Sequence, residues 1–184
     1  MCIRDRDMSD FGVTKEFLWQ RDIMNGLSVP YVTLIGNHDC LGTGAETYKA
    51  IFGPTNFSFI AGDVKFVCLN TNALEYDYSE PVPDFTFMEN ELTNRTDEFN
   101  KTVISMHARP YTDVFNDNVV KMFQHYVKQY PGIQFCTAAH THHYRDDVIF
   151  DDGIHYVTSD SMDKRTYLVF TLSLIHISEP TRPN

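Results

Sequence analysis

The chain has 184 residues, 15 Lys+Arg against 25 Asp+Glu, a formal net charge of −10 and 42% hydrophobic residues. That length suits one α/β domain with a sizeable core, and the acidic balance disfavours non-specific binding to nucleic acid or anionic membrane. No run of about 18 or more apolar residues occurs, so no membrane span is expected, and Cys2, Cys40, Cys68 and Cys136 follow neither C-x-x-C spacing nor a disulfide framework.

In chain order, the first segment reads as non-native. Met1 to Arg6 match the translation of ATG TGT ATA AGA GAC AG, the end of a transposon-type sequencing adapter, and Leu172 to Ser178 match its reverse complement. Glu179 to Arg182 fit the same adapter read further out. Segments 1–6 and 172–184 are therefore set outside the fold, leaving 7–171 as a single domain, expected to be part of a longer one. Without these ends 12 basic residues face 23 acidic ones, so the charge of −11 keeps the acidic reading. Compartment, cytoplasmic or exported, and oligomeric state stay open.

Phe17, Leu18, Ile23 and Met24 fall near the helical period, predicting a helix over 15–25 with Gly26 as its stop. Trp19 is expected to pack. Residues 31–35 read as a buried strand, 46–52 as a short helix, and 57–60 with 64–69 as two strands around Gly62-Asp63. A polar loop follows over 70–84, then a helix over 85–92 and a strand over 102–106. Val119, Val120, Phe123, Tyr126 and Val127 share one face of a helix over 117–130. Strands at 133–139, 148–150, 155–158 and 167–170 complete the pattern, with Asp146-Asp147 and Asp151-Asp152 read as solvated. The alternation of strands and helices says α/β.

Three strands run into residues that can bind metal: Gly36-Asn37-His38-Asp39 after the first, His107 after the third, and His140-Thr141-His142-His143 after the fourth. Ligands collect at the carboxyl ends of strands in open α/β sheets, so these clusters can converge. Imidazole, amide and carboxylate donors suit Zn, Fe or Mn rather than Ca, and no cysteine accompanies them to close a thiolate site. His125, His143 and His155 read as surface or pocket rim. Arg109, two residues past His107, is a candidate to touch a phosphate, as guanidinium matches its oxygens.

In this order the motifs resemble the calcineurin-like metallophosphoesterase superfamily, bacterial-type. G-N-H-D stands at 36–39, the lone His at 107 and H-T-H at 140–142, with Ala139 in place of the usual Gly. Asp7-Met8-Ser9-Asp10 continues a G-D-x-x motif whose Gly is Arg6, and the family's D-x-H would lie upstream. The resemblance implies a two-sheet sandwich flanked by helices (α/β/β/α), incomplete at the N-terminus. It implies two divalent transition metals (Mn, Fe or Zn), with Asp7 bridging them, Asn37, His107 and His140 completing one shell, and His142 binding the other ion. A metal-bridging hydroxide would attack a small phosphate mono- or diester, His38 would give its proton to the leaving group, and Asp39 would orient His38. With ligands of the second ion lying upstream, the chain itself is expected to be poorly active. Two other readings are a non-catalytic relic of the fold acting as a scaffold, disfavoured by the retained ligands, and a nuclease, disfavoured by the acidic charge. No nucleic-acid partner is expected.

Overall fold

Val64-Lys65-Phe66-Val67-Cys68-Leu69 is apolar and β-prone enough for the middle of a sheet, and the computed structural model puts it there. The structure describes residues 1–172 and 177–181; of the ends set outside the fold, 173–176 and 182–184 lie outside the described residues. β4 (Val64–Leu69) pairs antiparallel with β3 (Phe57–Ala61) and parallel with β5 (Lys101–Met106). Gly62, at a φ of +64°, makes the turn that the sequence predicts between β3 and β4. β6 (Ile133–Ala138) and β8 (His155–Thr158) continue the parallel array, and β7 (Arg145–Asp147) closes it antiparallel, in the order β3-β4-β5-β6-β8-β7.

The strand expected at 148–150 is not formed. Arg145, Asp146 and Asp147 take the edge instead, in register with Thr158, Val157 and Tyr156, while Ile149 and Phe150 pack onto the core.

Alternation along each strand separates two faces. Val67, Leu69, Ile104, Met106, Cys136 and Ala138 face α3 (Phe85–Thr93) and α4 (Val120–Val127), which contribute Met88, Val120, Phe123 and Val127. Asp84 caps α3 by accepting from Phe87 N–H. The helix predicted over 117–130 starts as one 3₁₀ turn, Asp117–Val119, before α4 proper. On the other face Val64, Phe66, Val103 and Phe135 meet Ile3, Phe59, Phe170 and Leu172.

Ile3 belongs to β1 (Cys2–Arg4), parallel to β2 (Tyr31–Thr33), while Phe170 and Leu172 belong to β9 (Val169–Leu172), antiparallel to β10 (Ile177–Thr181). Residues 2–4, read above as adapter translation, are hydrogen-bonded to the strand beside them: Cys2 N–H donates to the Pro30 carbonyl, and Leu34 N–H to the Arg4 carbonyl. Outermost, α1 (Thr14–Met24) and α2 (Gly44–Phe52) bury Phe17, Met24 and Tyr48 against Cys2, Tyr31 and Ile35. The layers are α/β/β/α. Trp19 does not pack as expected: it is 57% exposed, and Ile23 is 67% exposed, because α1 presents Phe17 and Met24 inward. No helix among the described residues is long and apolar enough to cross a membrane.

Candidate metal centre

His107 follows the last residue of β5 and is fully buried. Its Nδ1 lies 2.9 Å from the Asp5 carbonyl oxygen. A carbonyl only accepts, so Nδ1 carries the proton. Burial pushes this imidazole down to about 4, against the pull of Asp7. The ring is therefore neutral near pH 7, with a lone pair on Nε2. That lone pair faces Asn37 Oδ1 at 3.1 Å and Asp7 Oδ2 at 3.6 Å.

His140 sits just past β6 in the left-handed region, at a φ of +60°. Its Nε2 is 2.7 Å from the Asp113 carboxylate, so that nitrogen donates, and its Nδ1 lies 3.2 Å from the same Asn37 Oδ1. In the neutral ring Nδ1 is again a lone pair. The oxygens of Asp7 and Asn37 and the ring nitrogens of His107 and His140 thus converge. Imidazole nitrogens with amide and carboxylate oxygens are the donor set of Mn, Fe or Zn. Asn37 is the hub, for among the described residues no three His, Cys, Asp or Glu form such a group by themselves.

The chain builds the centre through Asp39, and this corrects the role expected for it. Asp39 does not reach the His38 ring. It is fully buried, Oδ1 accepting from Met8 N–H, Ser9 N–H and the Ser9 hydroxyl at 2.8, 2.8 and 3.0 Å, and Oδ2 from Gly36 N–H at 2.9 Å. It clamps the Asp7 segment onto the Asn37 loop. Burial pushes its carboxyl up to about 7; the Gly36 N–H bond opposes this, and the Asp7 charge adds to it. Gly36 allows the close approach, since a Cβ there would stand 2.1 Å from Asp7 Oδ1.

His38 is exposed, and its Nδ1 donates to the Asp10 carbonyl at 2.9 Å, while its backbone N–H holds Asp7 Oδ1 at 3.0 Å. The Asp10 hydrogen bond, opposed by partial burial and aided by the Asp7 charge, raises its pKa. The backbone carbonyl of Asp10 takes the place assigned to the Asp39 carboxylate.

Two expected residues are not brought in. His142 is exposed, at a φ of +54°, and its contact is a backbone one, with its carbonyl accepting from Lys164 Nζ at 2.9 Å. Arg109 is buried away from a phosphate role: it donates to Asp147 at 3.2 Å and to the Pro110 carbonyl. The acidic residues read as solvated are likewise engaged, Asp146 with His155 and Asp152 with Gln124. Sequence reasoning missed Asp113 and the Asp5 carbonyl. For Asp113 the available signal was chemical, since a metal-binding histidine commonly gives its other N–H to a carboxylate, and Asp113 lies in the loop after β5.

A search of curated proteins finds no match. A solved structure from Staphylococcus aureus, described as a 5'-nucleotidase in complex with alpha-ketoglutarate, superposes with a TM-score of 0.56 at 13% identity, over 90% of this chain and 39% of that one. At that identity the likeness is one of fold, and this chain spans well under half of the neighbour. The profile described as calcineurin-like phosphoesterase matches residues 5–144, which takes in Asp7, the 36–39 motif, His107 and the 140–142 motif. The chain belongs to the calcineurin-like phosphoesterase family.

Proposed function

We propose that this centre hydrolyses a phosphate ester with a divalent transition metal, Mn, Fe or Zn, held by Asp7, Asn37, His107 and His140. The convergence of the Asp7 and Asn37 oxygens with the ring nitrogens of His107 and His140 carries this reading. When bound, such an ion supplies positive charge to phosphoryl oxygens and acidifies water. The chain supplies the rest. Asp5 and Asp113 fix the two imidazoles so that each aims its lone pair inward. Asp39 fixes the carboxylate of Asp7 beside them through the backbone it grips. His38, its Nδ1 tied to Asp10, leaves Nε2 as the group that passes a proton to the departing alkoxide. The substrate is a small phosphate mono- or diester, and the neighbour's description makes a 5'-nucleotide one to try. In the family's dinuclear arrangement Asp7 and His142 would help hold a second ion, but His142 is exposed and makes no hydrogen bond to this set, so turnover by this chain is expected to be slow.

The test is hydrolysis of p-nitrophenyl phosphate and its bis ester by the metal-free chain, with and without added Mn2+. Turnover that requires Mn2+ and falls about 10²–10⁴-fold in His38→Ala is expected. Near-normal turnover of His38→Ala would remove the proton-donor role, and failure of Asn37→Ala to weaken Mn2+ binding would remove the centre.

A further inference from the structure

The segment from Asp7 into α1 walls a groove of about 370 Å³, whose lining runs from Asp7 past Asp10 and Glu16 to Trp19, Gln20 and Ile23. Arg4 also borders it but lies in the segment read as adapter translation, so the site is counted from residues 7–23 alone. Each step of this wall is tied down. Asp39 accepts from the amides of Met8 and Ser9, and the Ser9 hydroxyl oxygen accepts from Gly12 N–H at 3.0 Å. Glu16 Oε2 then accepts from Asp10 N–H at 3.1 Å and Phe11 N–H at 3.2 Å. Trp19 and Ile23, four residues apart on the outer face of α1, extend the wall as an apolar strip that the core leaves exposed. Lys15 Nζ lies over one face of the Trp19 indole, 4.8 Å from the ring centroid, and so restrains the ring.

Single apolar residues on a surface need no explanation. These two differ in place, because they share a groove with the carboxylate of Asp7, one of the residues proposed to hold the ion. The volume suits a small organic group rather than a helix or strand of another chain. The charged side chains that residues 7–23 give the groove are all acidic, and with Asp7 committed to the ion, Asp10 and Glu16 disfavour a second anionic group on whatever enters. We infer that the groove receives the organic part of the substrate, which is the phosphate ester of an aromatic or otherwise apolar alcohol. Its phosphate meets the ion beside Asp7 and its organic group lies along Trp19 and Ile23. The inference rests on the metal-dependent reading above and names the substrate class of the same site.

Trp19 is the chain's one tryptophan, so its fluorescence reports on the groove directly. The experiment measures Mn2+ binding by calorimetry, then titrates the loaded chain with phenylbutylphosphonate and with butylphosphonate. Neither can be hydrolysed, and they differ only in the distal ring. The phenyl compound is expected to bind about tenfold more tightly, the worth of a partly buried ring, and to shift Trp19 emission to shorter wavelength. Leaving out Mn2+ should weaken it by about tenfold or more, since the phosphonate loses its anchor. In Trp19→Ala, which removes an exposed side chain, calorimetry should find the advantage of the ring reduced to about twofold or less. Equal affinity for the two phosphonates, an undiminished advantage in Trp19→Ala, or no phosphonate bound by a chain that holds Mn2+ would overturn the inference and leave the metal-dependent reading standing. So would an emission change that is the same without Mn2+, which would assign the strip to contact with another protein segment. No bound Mn2+ at all would sink both. Should Trp19→Ala not fold, the wild-type affinities with and without Mn2+ still decide.

Discussion

Two polar clusters are buried in this molecule, and they are finished to different degrees. Around Lys65, 1% exposed, every donor meets an acceptor: Nζ donates to the Glu91 carbonyl at 2.6 Å, the Asn94 carbonyl at 2.8 Å and Glu91 Oε2 at 2.9 Å. Glu91 is completed by Ser58 and Asn94, and Phe99 lies against the ammonium. A lysine from the sheet thus closes the carboxyl end of α3, where the last carbonyls lack helical partners. Around Asn37 two imidazole nitrogens and the Asp7 carboxylate gather on one amide oxygen. The first cluster is complete in the folded chain alone. In the proposed reading the second is completed by a cation from outside, which is what separates a structural cluster from a binding one.

The comparison can be broken most severely at Lys65. Lys65→Met leaves Glu91 as an unpaired buried charge, and stability by urea unfolding is expected to fall by about 3–5 kcal/mol, with metal affinity per folded chain unchanged. A loss under about 1 kcal/mol would show that the cluster is not sealed from water.

Asp113→Ala acts on the other cluster. It frees the Nε2 proton of His140 from its carboxylate, so Mn2+ affinity should drop about 10- to 100-fold. Melting in the presence of a chelator should not move, because Asp113 is 78% exposed at its side chain. An equal loss of stability with and without metal would make Asp113 a fold residue instead.

The smallest effect is on the acid limb of stability. Burial works against the Glu91 charge, but the bonds from Lys65, Ser58 and Asn94 outweigh it and lower its pKa below the ordinary 4.5. A carboxyl held low in the folded state stabilises the fold above its unfolded pKa, and that contribution is lost as pH falls through the folded value. Stability of the wild type should therefore decline more steeply below pH 4.5 than that of Glu91→Gln. Parallel acid limbs in the two proteins would remove Glu91 from the account.

Much of this was legible in the chain itself. Asn37, His107 and His140 each stand just past a strand of apolar, β-branched residues, so local pattern and the strand-end rule brought them together on paper as the fold does in space. The partners were not legible. Asp113 lies in an irregular loop with no period to read, and Asp5 acts through a backbone carbonyl, which no side-chain pattern announces. Asp39 is next to His38 in sequence, yet the 3₁₀ turn His38–Cys40 sends the two side chains apart. Lys65 passed as one residue of an apolar strand, because its capping targets sit 26 and 29 residues away. Neighbours along the chain are poor guides wherever a turn decides the direction.

The carboxylate of Asp39 has a consequence for motion. The amides of Met8, Ser9 and Gly36 come from two segments far apart in the chain, yet all three hang on that one group. Losing any one leaves the buried carboxyl short of a donor, which favours a shared opening event. In deuterated solvent their protons should exchange at a common rate, and a cation at Asp7 and Asn37 would slow all three together: the protein would register occupancy of the centre as the tempo of a joint between two segments.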